Sequence, residues 1–98
     1  MKMKPATLAP AGTLPDSPIE FSRPSWRPLQ RVLPGAENDF MYMGHVGALQ
    51  LYKHRDTRRY LNVHEETGRC YLHTERGYVP CAIEVAIERV LRHEEIYE

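Results

Sequence analysis

"LQLYKHRDTRRYLNVHEETGRCYLHT", residues 49–74, alternates apolar and polar side chains through most of its length. A period of two is the mark of strands with one covered face, because successive side chains on a strand point to opposite sides. Two turns divide the stretch. "EETG" ends in Gly68, which supplies the positive φ that short hairpin loops need, and "RDT" separates "ALQLYKH" from "RRYLNVH". Upstream, "FMYM" and "ALQLYKH" flank "GHVG" as a further loop. The expectation is a four-stranded antiparallel meander over about residues 40–74.

Loop lengths set the expected register. With four residues in "EETG", Val63 faces Cys70 and Leu61 faces Leu72. With three in "RDT", Leu51 opposes Leu61; with four in "GHVG", Leu49 opposes Tyr42 and Leu51 opposes Phe40. One face then reads Phe40, Tyr42, Leu49, Leu51, Leu61, Val63, Cys70 and Leu72, and a lone sheet cannot bury such a face by itself. The cover is expected from "CAIEVAIERVLRHEEIYE", where Ile83, Ala86, Ile87, Val90 and Leu91 recur at the spacing of an amphipathic helix. Pro80 marks its start, Cys81 stands where Ser is the usual cap, and Glu84 follows as in a capping box. The expected class is α+β: a meander covered on one face by a C-terminal helix.

Prolines at 5, 10, 15, 18, 24, 28 and 34 prevent a long helix or strand in the first third. Residues 1–35 are therefore read as a proline-rich, largely extended or disordered arm, with a short helical turn at 28–33, and residues 36–98 as the domain. Residues 1 to about 20 are expected to be dispensable for folding. Phe21 and Trp26 serve either to strap the arm onto the domain or to form a linear motif for a partner.

The uncovered face is expected to carry Tyr52, Tyr60 and His73 in one row and Gln50, Asn62 and Tyr71 in the next. His64 lies beside Arg69, and His54 beside Arg58. The candidate binding residues are Tyr52, Arg58, Tyr60, Asn62, His64, Arg69, Tyr71 and His73. Tyr and Arg are common interface anchors, and zero formal net charge suits a protein partner, so protein–protein recognition by this face and the arm is the first expectation. Nucleic acid is the alternative partner, with bases stacked on Tyr and His. A thiol-dependent activity at Cys81 is the third reading, since a helix N-terminus stabilises a thiolate.

"GRCYLHT" leading into a helix with spaced alanines resembles, over about half the chain, the sheet-reading DNA modules of a class of plant transcription regulators and the arm-binding domains of integrases. The resemblance implies a three-stranded sheet contacting DNA through outward Arg side chains. Here those are Arg58 and Arg69, with Glu65, Glu66 and Glu75 at the rim.

Two lysines open the chain, but Pro5, Pro10 and Pro15 interrupt any signal-like apolar run, so a cytoplasmic protein is expected. No apolar stretch is long enough to span a membrane. Two cysteines then read as reduced thiols. No metal, cofactor or catalytic motif is present, His64 and His73 are too far apart to share a zinc, and a non-enzymatic role without cofactor or metal is expected.

Overall fold

A computed structural model of the chain describes residues 11–92. The expectations for residues 1–10 of the arm and for 93–98 at the end of the last helix lie outside the described residues. The elements in order are α1 (Arg27–Val32), a 3-10 turn (Glu37–Asp39), β1 (Phe40–Val46), β2 (Leu49–His54), β3 (Tyr60–His64), β4 (Cys70–Thr74), β5 (Gly77–Cys81) and α2 (Ile83–Leu91). The strands pair in chain order as one antiparallel sheet, so the fold is α+β, with five strands where alternation predicted four.

The added strand is "GYVPC". Its proline looks like a helix entry in the sequence, yet an edge strand accepts proline where the missing N–H faces no partner. Pro80 stands opposite Tyr71 in that outermost strand. Cys81 therefore ends β5 and is not the helix cap; Ala82 takes that position, without a side-chain hydrogen bond. In α2, Ala86 and Val90 are buried while Ile83 and Leu91 are exposed, a narrower stripe than predicted.

Between β3 and β4 the register is the expected one, with Val63 opposite Cys70 and Asn62 opposite Tyr71. Between β2 and β3 it differs by one residue: Leu61 faces Tyr52, and Leu51 faces Asn62. The reason is local. "HRDTRR" at 54–59 forms the same four-residue turn that "HEETGR" forms ten residues later at 64–69. In each, the leading His accepts two backbone N–H groups at Nδ1, at 3.2 and 3.2 Å in the first turn and 3.2 and 3.4 Å in the second. In each, too, the Thr hydroxyl accepts the N–H of the closing Arg, at 3.3 and 3.2 Å. The left-handed position is Gly68 (φ 75°) in one turn and Arg58 (φ 64°) in the other.

That single step turns β2 over. Gln50 and Tyr52 join the helix side, while Leu49 and Leu51 go to the opposite side. β1 also runs further than predicted: "GHVG" is mostly strand, the turn is Gly47–Ala48, and a bulge between Tyr42 and His45 corrects the register. Both faces are consequently buried. On one, Leu29 of α1 and Ala86 and Val90 of α2 pack on Phe40, Tyr52, Leu61, Val63 and Cys70. On the other, Val46, Leu49, Leu51, Tyr71 and Tyr78 cluster with Leu14 and Met43.

The arm provides the second cover. Leu14 exchanges backbone hydrogen bonds of 2.8 Å with Tyr78 on the outer edge of β5, and Glu20 exchanges bonds of 2.9 Å with His45 on the outer edge of β1. Between them the Asp16 carboxylate meets His73 Nε2 at 2.8 Å. A chain rising about 3.3 Å per residue covers roughly 20 Å from Leu14 to Glu20, whereas partners lying outside both edges of a flat five-stranded sheet would stand six spacings of about 4.8 Å, roughly 29 Å, apart. The sheet must therefore curl toward the segment, which reaches both edges in an extended form. It then turns to the helix side, where the Tyr52 hydroxyl donates to the Ser25 carbonyl and the Tyr52 ring packs between Trp26 (5.6 Å) and Tyr42 (5.9 Å).

Glycines allow this close approach. A Cβ at Gly77 (φ 110°) would lie 2.3 Å from the Leu14 carbonyl oxygen, and one at Gly44 (φ 100°) would lie 2.8 Å from that of Glu20. A Cβ at Gly68 would meet nothing within 4 Å. Gly68→Ala should thus cost only the left-handed backbone penalty, about 1 kcal/mol, and Gly77→Ala clearly more. Arg58→Gly should stabilise by about 1 kcal/mol, near 5 °C in Tm. Thermal melts of the three variants check this, and equal losses at Gly77 and Gly68 would show that the arm does not lie on β5.

Leu51 and Leu61 lie on opposite faces, at 2% and 1% exposure. Either change to Ala should destabilise by about 2–5 kcal/mol. Denaturant unfolding measures both, and a harmless Leu51→Ala would mean that the arm side is not a core.

Candidate functional site

Pairing between β3 and β4 covers only Asn62–Tyr71 and Val63–Cys70. Beyond it Tyr60 and Leu61 are not laddered to β4, and a cavity of about 700 Å³ opens beside the parting. Tyr60 and Asn62 come from β3, Leu72 and His73 from β4, and Tyr78 from β5. α2 adds Val85, Glu88 and Arg89, its C-cap adds Arg92, and Ile19 of the arm closes one side. The outermost apolar groups, Ile19, Tyr60 and Val85, are 48%, 40% and 51% exposed.

Asn62 is the distinctive group of this lining. It is 2% exposed, its Nδ2 donates to the Tyr71 carbonyl at 3.1 Å, and its Oδ1 has no hydrogen-bond partner. A buried acceptor left unpaired costs about 1–3 kcal/mol, so a donor that reached it would be favoured by that margin. Cations gather at the helix side. Arg59 donates to the Arg89 carbonyl at 2.9 Å, and the Thr57 hydroxyl donates to the Val90 carbonyl at 2.6 Å, together satisfying the last turn of α2. Arg92 meets Glu88 at 3.1 Å. Burial, then the Asp16 and Tyr60 charges, push the Tyr78 hydroxyl above its ordinary pKa.

The eight candidate residues do not share one face. Tyr60, Asn62 and His73 meet at the cavity. Tyr71 adjoins Asn62 but is buried among Leu49, Leu51 and Tyr78. Tyr52 sits on the opposite face, fully buried, where it pins the arm. The expected row of Tyr52, Tyr60 and His73 therefore does not form, because the longer turn at 54–59 reverses β2. Arg58 holds the left-handed position of that turn. His64 and Arg69 flank the other hairpin turn, where the His64 ring is engaged by its own loop. Gln50, also expected outside, is buried on the helix side, accepting from the Tyr42 hydroxyl at 2.6 Å and donating to Glu65 at 2.8 Å.

Arg89, Arg92, Val85 and Tyr78 were not anticipated. A signal existed: "GYVPC" is short, alternating and β-rich, and recognising it as a strand brings Tyr78 into the sheet beside β4 and moves the start of α2 to Ile83. Cys81, at the end of β5, has its thiol pushed up by burial, with Arg89 acting in the opposite sense, so the activation expected of a helix cap is not found.

"GRCYLHT" leads into β5 and not into a helix, which departs from the arrangement that the DNA-module resemblance implied. Among the described residues, no group of three or more His, Cys, Asp or Glu side chains is placed to hold a metal ion. No helix there is long and apolar enough to cross a membrane. Comparison with family models, curated proteins and solved structures finds no match to this chain.

Proposed function

We propose that the chain is a non-enzymatic binding module that takes a short acidic and apolar peptide segment of a protein partner into the cavity between β3, β4 and α2. The observation that carries this reading is Asn62: a buried side chain in the lining whose Oδ1 lacks a donor. Oδ1 is itself shielded from solvent, so a peptide N–H supplies one when the lining parts to admit it. Its neighbours match the rest of such a ligand, since Arg89 and Arg92 favour a carboxylate and Ile19, Tyr60 and Val85 favour aliphatic or aromatic groups. A volume of about 700 Å³ lies within the roughly 300–1,000 Å³ usual for ligand sites.

The buried state of Tyr52 and Tyr71 favours a peptide over stacked bases, because a base needs an open ring face. The polar side chains of the cavity also hold structural partners: Arg59 the Arg89 carbonyl, Arg92 the Glu88 carboxylate and His73 the Asp16 carboxylate. Such pairing suits recognition, which needs charge held in place, more than proton transfer.

Selection from a display library of random peptides tests the reading, with single-stranded oligonucleotides as competitors. The expected outcome is enrichment of peptides pairing Asp or Glu with aliphatic or aromatic neighbours. Val85→Asp should weaken their capture about tenfold or more, equivalent to ~1.4 kcal/mol, while leaving Tm unchanged, because Val85 is half exposed. Enrichment without acidic residues, or undiminished capture by Val85→Asp, would overturn the assignment. Capture of the oligonucleotides with a steep salt dependence would replace it with a nucleic-acid partner.

A further inference from the structure

The chain contains two cysteines, and the fold places them directly opposite each other on neighbouring strands, Cys70 on β4 and Cys81 on β5. Directly opposed side chains project to the same face. The hydrogen-bonding parity of the pair follows from its neighbours. Tyr78 turns its N–H and carbonyl outward to Leu14, so the His73–Tyr78 pair is not bonded across the ladder. Alternation makes Leu72–Val79 bonded, Tyr71–Pro80 unbonded, as proline requires, and Cys70–Cys81 bonded. Bonded antiparallel pairs have Cα atoms about 5.5 Å apart, inside the roughly 4.4–6.8 Å range that a disulfide spans. Opposed Cβ atoms lie about 4.5–5.5 Å apart, a bonded pair at the long end of that range, and so about 1 Å or more beyond the ordinary disulfide spacing of 3.5–4.5 Å. Cys81 is the last residue of β5, and a strand end can close that difference.

The two thiols differ in access. Cys70 is fully buried, while Cys81 is half buried and lines an open recess of about 440 Å³ beside Thr67, Gly68, Arg69 and Pro80. We propose that Cys81 and Cys70 form a reversible oxidation site of this protein, Cys81 meeting a hydroperoxide in the recess and Cys70 resolving it to a cross-strand disulfide. In the first step the Cys81 thiolate attacks a peroxide oxygen and the O–O bond breaks. With hydrogen peroxide the leaving hydroxide takes up the thiol proton as water, and Cys81 becomes a sulfenic acid. In the second, the Cys70 thiolate attacks Cys81 Sγ, the S–O bond breaks, and a second water leaves. Two thiols are oxidised by two electrons and one peroxide is reduced to two waters.

Burial pushes both thiols up, Cys70 to about 12 with the Cys81 charge adding to the effect. Cys81 lines the open recess while Cys70 is buried, which assigns Cys81 the first step, and Arg89 opposes the rise there. Neither thiolate is abundant at neutral pH, so the reaction responds to sustained oxidant and not to a brief pulse. The bridge would tie β5 to β4 immediately before α2 begins.

The test treats the reduced full-length chain, at dilution, with hydrogen peroxide and reads intact mass and free thiols after denaturation. The expected result is the loss of two hydrogen atoms in the monomer, disappearance of both titratable thiols, recovery with dithiothreitol and a higher Tm for the oxidised form. Only one intramolecular disulfide can form in a chain with two cysteines. Cys81→Ser should abolish that mass change. Cys70→Ala should let a sulfenic acid at Cys81 be trapped by dimedone, and the comparison of the native chain with Cys81→Ser decides the matter if this buried variant does not fold. Oxygen addition at Cys81 with Cys70 still a thiol, or disulfide-linked dimers in place of the monomer bridge, would overturn the proposal.

Discussion

The register of β2 is the constraint on which the rest of this structure depends, and a four-residue turn sets it. His54, Thr57 and Arg59 bond the turn internally, and Arg58 accepts a left-handed backbone to complete it. This puts Tyr52 inward under α1 and sends Leu49 and Leu51 to the far side. A shift of one residue exchanges every side chain between the faces of a strand. The same turn also serves the helix, since Thr57 and Arg59 satisfy carbonyls in the last turn of α2. One local geometry thereby couples sheet register, helix termination and the wall of the cavity.

A sheet with apolar groups on both faces needs two covers, and a chain of 98 residues has few elements to supply them. The solution is economical in secondary structure: α1 and α2 take one face, and an extended proline-containing segment takes the other. Prolines suit that segment because it needs a fixed extended backbone and makes ladder bonds only at Leu14 and Glu20. Those same bonds occupy the outer edges of β5 and β1, where an unpaired strand would otherwise offer its N–H and carbonyl groups to another chain. Gly77 and Gly44 are the points where the backbones come closest.

The cavity arises where these demands conflict. β4 pairs with β5 along its whole length, yet its ladder to β3 stops after two residue pairs, and Asn62, in the last of them, keeps an Oδ1 without a donor. A polar side chain buried and unsatisfied beside cationic and exposed apolar groups is a place where a ligand recovers free energy that the fold left unrecovered. The cysteine pair lies at the other end of β4, where the pairing is complete. The recognition and oxidation sites proposed above thus fall at opposite ends of one strand.

Much of this was written in the sequence by itself. Alternation set an antiparallel meander, Gly68 in "EETG" set the β3–β4 register, and apolar spacing set a C-terminal helix packing through Ala86 and Val90. Even the β2–β3 register was legible, because His54–Arg59 repeats His64–Arg69 with Arg58 in the place of Gly68; a glycine-based reading of turns passes over an arginine in that position. The candidate site was legible only in part, through Tyr60, Asn62 and His73. Tertiary structure decided the remainder. Period two tells a strand from a helix but does not say which of two faces is covered when both are, and nothing local to "PDSPI" says that it joins the two outer edges of the sheet. Nor does spacing reveal that β4 parts from β3, since that depends on β5, the arm and α2 packing on it at once.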